Sequence, residues 1–203
     1  MNKRISPLGT MRHSLGSLAA ILFVGSTLLA SPFLRAGPAD MQVESPVDGK
    51  VFRLVDARGK WVVLHFLLKT ECPFCLKHTQ EYVKNIERWD DVTHVFLKPD
   101  SAEAIRGWAM RLDETTRKRT PLYRDPDARW AKVFEIPGGY RFHGLTVHYP
   151  ALVVLNPDGK EVFRHVGKDN SDRFSFEDFK ARLPEWKRAR SAAGGAKPAR
   201  EGL

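Results

Sequence analysis

Across the middle of the chain, the spacing of apolar residues alternates between that of β-strands and that of α-helices. The almost unbroken apolar run 61–67 predicts a central strand that is covered on both faces. Apolar residues then recur at helical spacing over 73–89, so this strand leads into a helix that begins at a proline. A strand over 93–97, a helix capped by Ser101 and an extended segment over 121–124 complete a β-α-β-α-β order.

The pattern after this alternation predicts an antiparallel ending. Asp127 is expected to cap a short helix that runs through Phe134, and the stretch 137–149 with its glycines predicts a loop. The apolar runs 151–155 and 161–166 flank the turn sequence Asn-Pro-Asp-Gly-Lys, which predicts a hairpin, and a helix over 175–183 follows. We therefore expect a single α/β domain with a central mixed sheet flanked by helices.

The two ends of the chain differ from this middle part. Residues 1–36 place a basic stretch before the uncharged segment 14–34, which predicts a cleaved export signal or, alternatively, a retained membrane anchor. Residues 37–47 are expected to be a linker, residues 48–183 the folded domain and residues 184–203 a disordered basic tail. Export would place the domain where disulfides persist.

The formal net charge of +9 is concentrated at the ends of the 203-residue chain. Residues 1–36 carry four basic and no acidic residues, and residues 184–203 carry five basic and two acidic ones, so only +2 of the total of +9 remains for the middle. A nearly balanced domain attracts polyanions weakly, so we expect no nucleic-acid partner.

Both cysteines lie in one unit, Cys72-Pro-Phe-Cys75, where the central strand leads into the helix. A thiol at a helix N-terminus faces free backbone N–H groups and the positive end of the helix dipole, which favour the thiolate. Cys72 fits that position and is the expected nucleophile. Cys75, one turn further along, is expected to be more buried and to resolve a mixed disulfide formed by Cys72.

Three alternatives to thiol chemistry compete for these two cysteines. A purely structural disulfide would close a loop too small to restrict the unfolded chain appreciably. A metal site could combine Cys72, Cys75 and His78, whereas His143 and His148 lie far away in sequence. Covalent haem attachment is excluded because Leu76, not a histidine, follows the second cysteine.

Over about residues 45–183 the chain resembles the thioredoxin-like superfamily, in its branch of exported redoxins related to alkyl hydroperoxide reductase and thiol-specific antioxidant proteins. The resemblance is carried by the segment 49–66, by Cys72-Pro-Phe-Cys75 and by Tyr-Pro-Ala-Leu-Val-Val-Leu-Asn-Pro-Asp-Gly at 149–159. It implies a thioredoxin-like fold and a proline before the late strand, Pro150, that is cis and lies against the cysteine pair.

The chain departs from two subfamilies of this group. Peroxiredoxins carry threonine or serine three residues before the first cysteine, where Lys69 stands here, and Thr70 misses the position by one. Thioredoxin has a buried acid at the position of Phe66. A proton acceptor for Cys75 is therefore unidentified, with Glu71, Lys69 or a water molecule as the options.

The remaining polar candidates have ordinary explanations. The histidines at 65, 78, 143 and 148 are expected to be packed or solvated rather than tuners of the cysteines. The basic run 117–119 is expected to be a solvated loop, with docking of an acidic partner as the lesser alternative.

Together these inferences predict an exported thiol-disulfide oxidoreductase. Cys72 attacks a partner's disulfide, Cys75 resolves the mixed disulfide and Pro150 shapes the docking site. The only redox group is the Cys72–Cys75 pair, with no further cofactor or metal. The expected partners are protein thiols or disulfides and an upstream electron donor or acceptor, with a membrane tether if the N-terminal segment is retained. The alternatives are a peroxiredoxin-like peroxidase that uses Cys72 and an exported metal-handling protein or chaperone.

Overall fold

A computed structural model describes residues 38–69 and 72–195, which contain a central five-stranded sheet. Its strands, in the spatial order β5-β4-β3-β8-β9, are β3 (Trp61–Phe66), β4 (Val92–Lys98), β5 (Leu122–Arg124), β8 (Ala151–Leu155) and β9 (Glu161–Val166). Two smaller pairs are β1 (Gln42–Glu44) with β2 (Val51–Arg53), and β6 (Gly138–Phe142) with β7 (Leu145–His148). The helices are α1 (Pro73–Val83), α2 (Ala102–Ala109), α3 (Glu114–Arg119), α4 (Arg129–Val133) and α5 (Phe176–Gly195).

Strand β3 is the centre of the fold, as its apolar run predicts. Every residue of β3 is buried, and the strand pairs parallel to β4 and antiparallel to β8. Its side chains alternate between two hydrophobic clusters on opposite faces of the sheet. One face includes Val63 with residues of α1, α2 and α5, and the other includes Leu64 with residues of β1, β2 and α4. The prediction of a mixed sheet covered by helices is confirmed.

Two predicted loops are in fact regular elements. The basic run 117–119 is the last turn of α3, which begins after Asp113, whose carboxylate accepts a hydrogen bond from the Thr116 N–H at 2.9 Å. The stretch 137–149 contains the hairpin β6–β7. The positive φ of Gly139, His143 and Gly144 explains why this hairpin has the sequence of a loop.

Two helix boundaries also differ from the predictions. Helix α1 ends at Val83, and a short 3-10 helix, Ile86–Arg88, follows it before Trp89. The expected cap at Asp127 is wrong. The carboxylate of Asp125 instead accepts hydrogen bonds from the N–H groups of Trp130 and Ala131, at 2.8 and 3.1 Å.

The expected disorder after Leu183 is wrong for residues 184–195, because α5 continues through Pro184 to Gly195. Trp186 packs on the core, with its ring centroid 5.0 Å from that of Phe163. The Lys187 Nζ lies 2.7 Å from the carboxylate of Asp91. These contacts stabilise the turns after the proline, which itself removes a backbone donor. Residues 196–203 lie outside the described residues.

The folded part also begins before residue 48. Met41 and Val43 are 1% and 4% exposed and belong to the cluster that packs on β3, so part of the expected linker is core. The predicted signal, residues 1–36, lies outside the described residues. Within residues 38–69 and 72–195, no helix has both the length and the apolar character that a membrane crossing requires.

Candidate active site

Cys72 is the N-cap residue of α1, at the end of the loop that leaves the carboxyl end of β3. Its backbone is extended, and Pro73 begins the helix, where a missing N–H costs nothing. The Sγ of Cys72 accepts a hydrogen bond from the backbone N–H of Cys75 at 3.3 Å. Both thiols are free and buried in this structure. The helix start therefore brings the two cysteines together, as the sequence predicts.

The surroundings of the two thiols shift their pKa values in opposite directions. Hydrogen bonding from Cys75, followed by the positive charge of Arg173, outweighs burial and lowers the pKa of Cys72 from 9.0 to about 6. Burial raises the pKa of Cys75 well above its ordinary value, with the hydrogen bond to Cys72 acting in the same direction. At neutral pH this arrangement holds a thiolate at Cys72 beside a thiol at Cys75.

Arg173 contacts both sulfur atoms and was not anticipated from the sequence. Its Nη2 donates to the Sγ of Cys75 at 3.3 Å and to the Sγ of Cys72 at 3.5 Å. The residue lies 98 positions after Cys75, in the connection between β9 and α5. No local motif surrounds it, so only the tertiary structure brings this cation to the cysteine pair.

Pro150 lies immediately before β8 and is buried. No cis peptide bond occurs among the described residues, so the expectation of a cis bond before Pro150 is wrong. The carbonyl oxygen of Pro150 accepts a hydrogen bond from the N–H of Gly167 at 2.8 Å, at the start of the loop that carries Arg173. Its role in docking stays a prediction.

A buried charge cluster supports the loop before Cys72. The Nζ of Lys98 is completely buried, donates to the carbonyl oxygen of Leu68 at 2.7 Å and lies 3.7 Å from the carboxylate of Asp100. The Nζ of Lys69 lies 3.8 Å from the same carboxylate. Lys69 is thus an ion-pair partner of Asp100. Two other residues considered at this loop, Thr70 and Glu71, lie outside the described residues.

Three buried histidines form a hydrogen-bonded row beneath α1, which we call the histidine row. The Nδ1 of His65 lies 2.9 Å from the Nε2 of His78, and the Nε2 of His65 lies 3.0 Å from the Nδ1 of His94. Burial lowers the pKa of His78 and of His94 to about 3, and it lowers the pKa of His65 as well. These imidazoles are therefore neutral. His94, the third member, was missed because it is 29 residues from His65 in sequence.

The histidine row includes His78, which the sequence offered as a metal ligand together with Cys72 and Cys75. The Nε2 of His78 is engaged with His65, and no group of three His, Cys, Asp or Glu side chains suited to a metal ion occurs within residues 38–69 and 72–195. The other two histidines considered lie elsewhere. His148 is buried, with its Nδ1 2.7 Å from the carbonyl oxygen of Tyr149, and His143 is exposed on the hairpin.

Comparison with solved structures shows a thioredoxin-like fold. The exposed lipoprotein thioredoxin of Streptococcus pneumoniae is 23% identical, with a TM-score of 0.57 over 72% of this chain and 99% of that one. A secreted disulfide oxidoreductase of Mycobacterium tuberculosis, homologous to E. coli DsbE, is 17% identical, with a TM-score of 0.55 over 73% and 97%. A cysteine-to-serine variant of PrxQ from Xylella fastidiosa is 15% identical, with a TM-score of 0.60 over 75% and 91%.

No curated protein matches the sequence significantly. A profile of the AhpC/TSA family matches residues 38–162, which are more than half of the chain and include the cysteine pair, the histidine row and Pro150. This match agrees with the thioredoxin-like fold and with the position of the cysteines at the carboxyl end of β3. The chain belongs to the AhpC/TSA family of redoxins.

Proposed function

We propose that the protein is an exported thiol-disulfide oxidoreductase that acts on protein thiols and disulfides through Cys72 and Cys75. One observation carries this proposal: both sulfurs accept hydrogen bonds from the guanidinium of Arg173, and the sulfur of Cys72 accepts a further one from the N–H of Cys75. Two thiols in one helical turn, one of them held as a thiolate, are what a dithiol exchange reaction requires.

The exchange proceeds in two balanced steps. The thiolate of Cys72 attacks one sulfur of a partner's disulfide, a mixed disulfide forms and the partner's second sulfur leaves as a thiolate. The thiol of Cys75 then loses its proton to solvent and attacks the sulfur of Cys72, which releases the partner's first sulfur. The pair is oxidised by two electrons and the partner is reduced by two. The same steps in reverse oxidise a partner's dithiol.

Access to Cys72 requires movement, because its side chain is 0% exposed in the reduced structure. A partner therefore reaches the sulfur only when neighbouring loops open. We place the docking surface around Pro150, which precedes β8 and binds the start of the Arg173 loop through its carbonyl oxygen. No cofactor beyond the cysteine pair and no nucleic acid enters this proposal.

Export is the second part of the proposal. The uncharged segment 14–34 behind a basic stretch supports it, and the relatives from S. pneumoniae and M. tuberculosis are described as exposed and secreted proteins. An upstream electron donor or acceptor outside the cytoplasm would restore the pair after each turnover. A retained N-terminal segment would tether the domain to the membrane.

Trapping of mixed disulfides tests the proposed roles. Cys75→Ser should accumulate disulfide-linked adducts with a disulfide substrate such as insulin, because Cys72 attacks but nothing resolves the product. Cys72→Ser is the matched control and should trap almost nothing on non-reducing gels. Trapping by Cys72→Ser alone would reverse the assignment. No trapping by either variant, together with neither reduction of insulin nor oxidation of a protein dithiol by the intact protein, would refute the proposed function.

A peroxidase remains the second candidate, since PrxQ shares the fold. Lys69 stands where peroxiredoxins carry threonine or serine, and its ammonium pairs with Asp100, so the expected hydroxyl donor is absent at that position. Consumption of hydrogen peroxide by the reduced protein, measured beside insulin reduction, separates the two. Fast peroxide consumption that survives in Cys75→Ser, without insulin reduction, would favour the peroxidase.

A further inference from the structure

Arg173 is bound to the sulfurs and incompletely satisfied elsewhere. Its Nη2 donates to both Sγ atoms, at 3.3 and 3.5 Å, whereas its Nε and Nη1 are buried without a hydrogen-bond partner. A buried cation with unpartnered donors needs a compensating anion. The thiolate of Cys72 supplies a hydrogen-bonded anion in the dithiol state, and the disulfide state contains no negative sulfur. The carboxylate of Asp169 on the same loop also interacts with the Arg173 charge, but it is present in both states.

The loop that carries Arg173 is fixed at three points, so the guanidinium is held in place. The N–H of Gly167 donates to the carbonyl oxygen of Pro150 at 2.8 Å, and the N–H of Asn170 donates to the hydroxyl of Tyr140 at 3.0 Å. Beyond Arg173, the hydroxyl of Tyr82 donates to the carbonyl oxygen of Phe174 at 3.1 Å. A preorganised cation stabilises an adjacent charge more than a freely moving one does.

We propose that Arg173 selectively stabilises the dithiol form of the Cys72–Cys75 pair, and that it thereby raises the reduction potential and directs the disulfide form to oxidise protein dithiols. This inference rests on the proposed function and adds the direction of electron flow to it. Stabilisation of the reduced form makes a disulfide a stronger oxidant, because the reduced pair is the product of the reaction.

The favoured reaction is balanced as follows. A thiolate of the partner attacks the Cys72–Cys75 disulfide at Cys72, the S–S bond breaks and Cys75 takes up a proton from solvent. The partner's second thiol loses its proton and attacks the partner sulfur of the mixed disulfide. Cys72 leaves as the thiolate beside Arg173. The partner gains one disulfide and loses two electrons, which the cysteine pair receives.

Other charged groups near the sulfurs act in known directions. Burial raises the pKa of Cys75, and the positive charge of Lys98, on β4, opposes part of that rise. Burial lowers the pKa of His78 on α1 and of His148 on β7, so these two rings are neutral at pH 7. Arg173 is therefore the cation whose hydrogen bonds reach both reacting atoms, and its substitution is the direct test.

The test compares Arg173→Met with the intact protein in two measurements. Thiolate absorbance against pH should show the pKa of Cys72 rising by about one to two pH units, the equivalent of one lost charge-assisted hydrogen bond. Equilibration with glutathione redox buffer at pH 7 should then show about a five- to tenfold loss of the dithiol form, which converts to a potential about 20 to 30 mV lower.

Arg182→Met is the matched control. This guanidinium lies 5.9 Å from the ring centroid of Phe174 and has no hydrogen bond to sulfur, so its removal should leave both the pKa of Cys72 and the potential unchanged. Arg173→Lys keeps the positive charge but lacks the planar guanidinium with its several N–H donors, so it should give a reduction potential between those of the intact protein and Arg173→Met. It also serves as the test variant if Arg173→Met does not fold.

The outcomes separate this inference from the proposed function. A potential of Arg173→Met equal to or above that of the intact protein, or equal shifts in the Arg173 and Arg182 variants, would overturn the role of Arg173. Reduced, denatured ribonuclease A tests the direction of electron flow. The disulfide form of the intact protein should oxidise it several-fold faster than the disulfide form of Arg173→Met does. Failure of the intact protein to exchange with glutathione or ribonuclease A at all would instead refute the proposed function.

Discussion

Mild acid should destabilise this protein strongly, because its histidine row must stay neutral to stay buried. The ring of His65 is hydrogen-bonded to those of His78 and His94, and burial holds the pKa of His78 and of His94 at about 3. In the unfolded chain each histidine titrates near pH 6.5, so the unfolded state binds more protons between these values. The contribution of the histidine row to stability is therefore complete above about pH 6.5 and is lost progressively as the pH falls below it.

The magnitude follows from linkage. A histidine that stays neutral in the folded state has a pKa near 6.5 in the unfolded chain. Its protonation in the unfolded chain between pH 7 and pH 5 lowers the free energy of unfolding by about 2 kcal/mol. His78 and His94 together should remove about 4 kcal/mol, and His65 adds to this in the same direction. Burial raises the pKa of Asp125, which acts in the opposite direction. The fall is a large part of the 5 to 15 kcal/mol typical of a domain.

Urea titrations followed by tryptophan fluorescence at pH 7, 6 and 5 measure this loss directly. His94→Gln should reduce the pH-dependent part by about 2 kcal/mol, although it lowers stability at pH 7. The matched control is His143→Asn, on the exposed hairpin at a positive φ that asparagine tolerates, and it should leave the pH dependence unchanged. A free energy of unfolding that varies by less than about 1 kcal/mol from pH 7 to pH 5 would show that the row is not held neutral.

Three further predictions follow from the site and from α5. Iodoacetamide at pH 6 should modify Cys72 selectively in the reduced protein, because the pKa of Cys72 is about 6 whereas burial raises the pKa of Cys75. Equal labelling of the two cysteines, located by mass spectrometry, would contradict this difference in pKa. Truncation after Leu183 should lower the free energy of unfolding by about 2 to 3 kcal/mol in urea, since it removes a tryptophan that packs on the core. Gly167→Ala should raise the pKa of Cys72, because the added methyl collides with the carbonyl oxygen of Asp172 and displaces the Arg173 loop, and an unchanged thiolate titration would argue against that coupling.

Local patterns were sufficient to locate the centre of the fold and the cysteines. Strand β3 is apolar along its whole length, and Cys72 stands where that strand leads into a proline-initiated helix. Both features depend on residues close together in sequence, which is where periodicity and capping are informative. The strands β8 and β9 were likewise predicted from a turn sequence between two apolar runs.

The missed features depend on contacts between distant parts of the chain. Arg173 reaches Cys72 across 101 residues, and His94 reaches His65 across 29. A lone arginine or histidine carries no local signal of such a partner. The end of α5 was predicted too early for a similar reason. The helix-breaking tendency of Pro184 is a local property of the sequence, whereas the packing of Trp186 that continues the helix is a tertiary contact.

The hydrogen bond from Asn170 to the hydroxyl of Tyr140 connects the β6–β7 hairpin to the loop that carries Arg173. Among the described strands the hairpin pairs only with itself, and all of its residues except Phe142 and His148 are exposed or half-buried, so its exposed positions can vary without disturbing the central sheet. Variation at this hairpin would move a cation that contacts the sulfurs. Two proteins with the same Cys-Pro-Phe-Cys unit can thus evolve different redox chemistry through a surface element, and a library confined to Tyr140 and the exposed positions of the hairpin offers the same control to protein engineers.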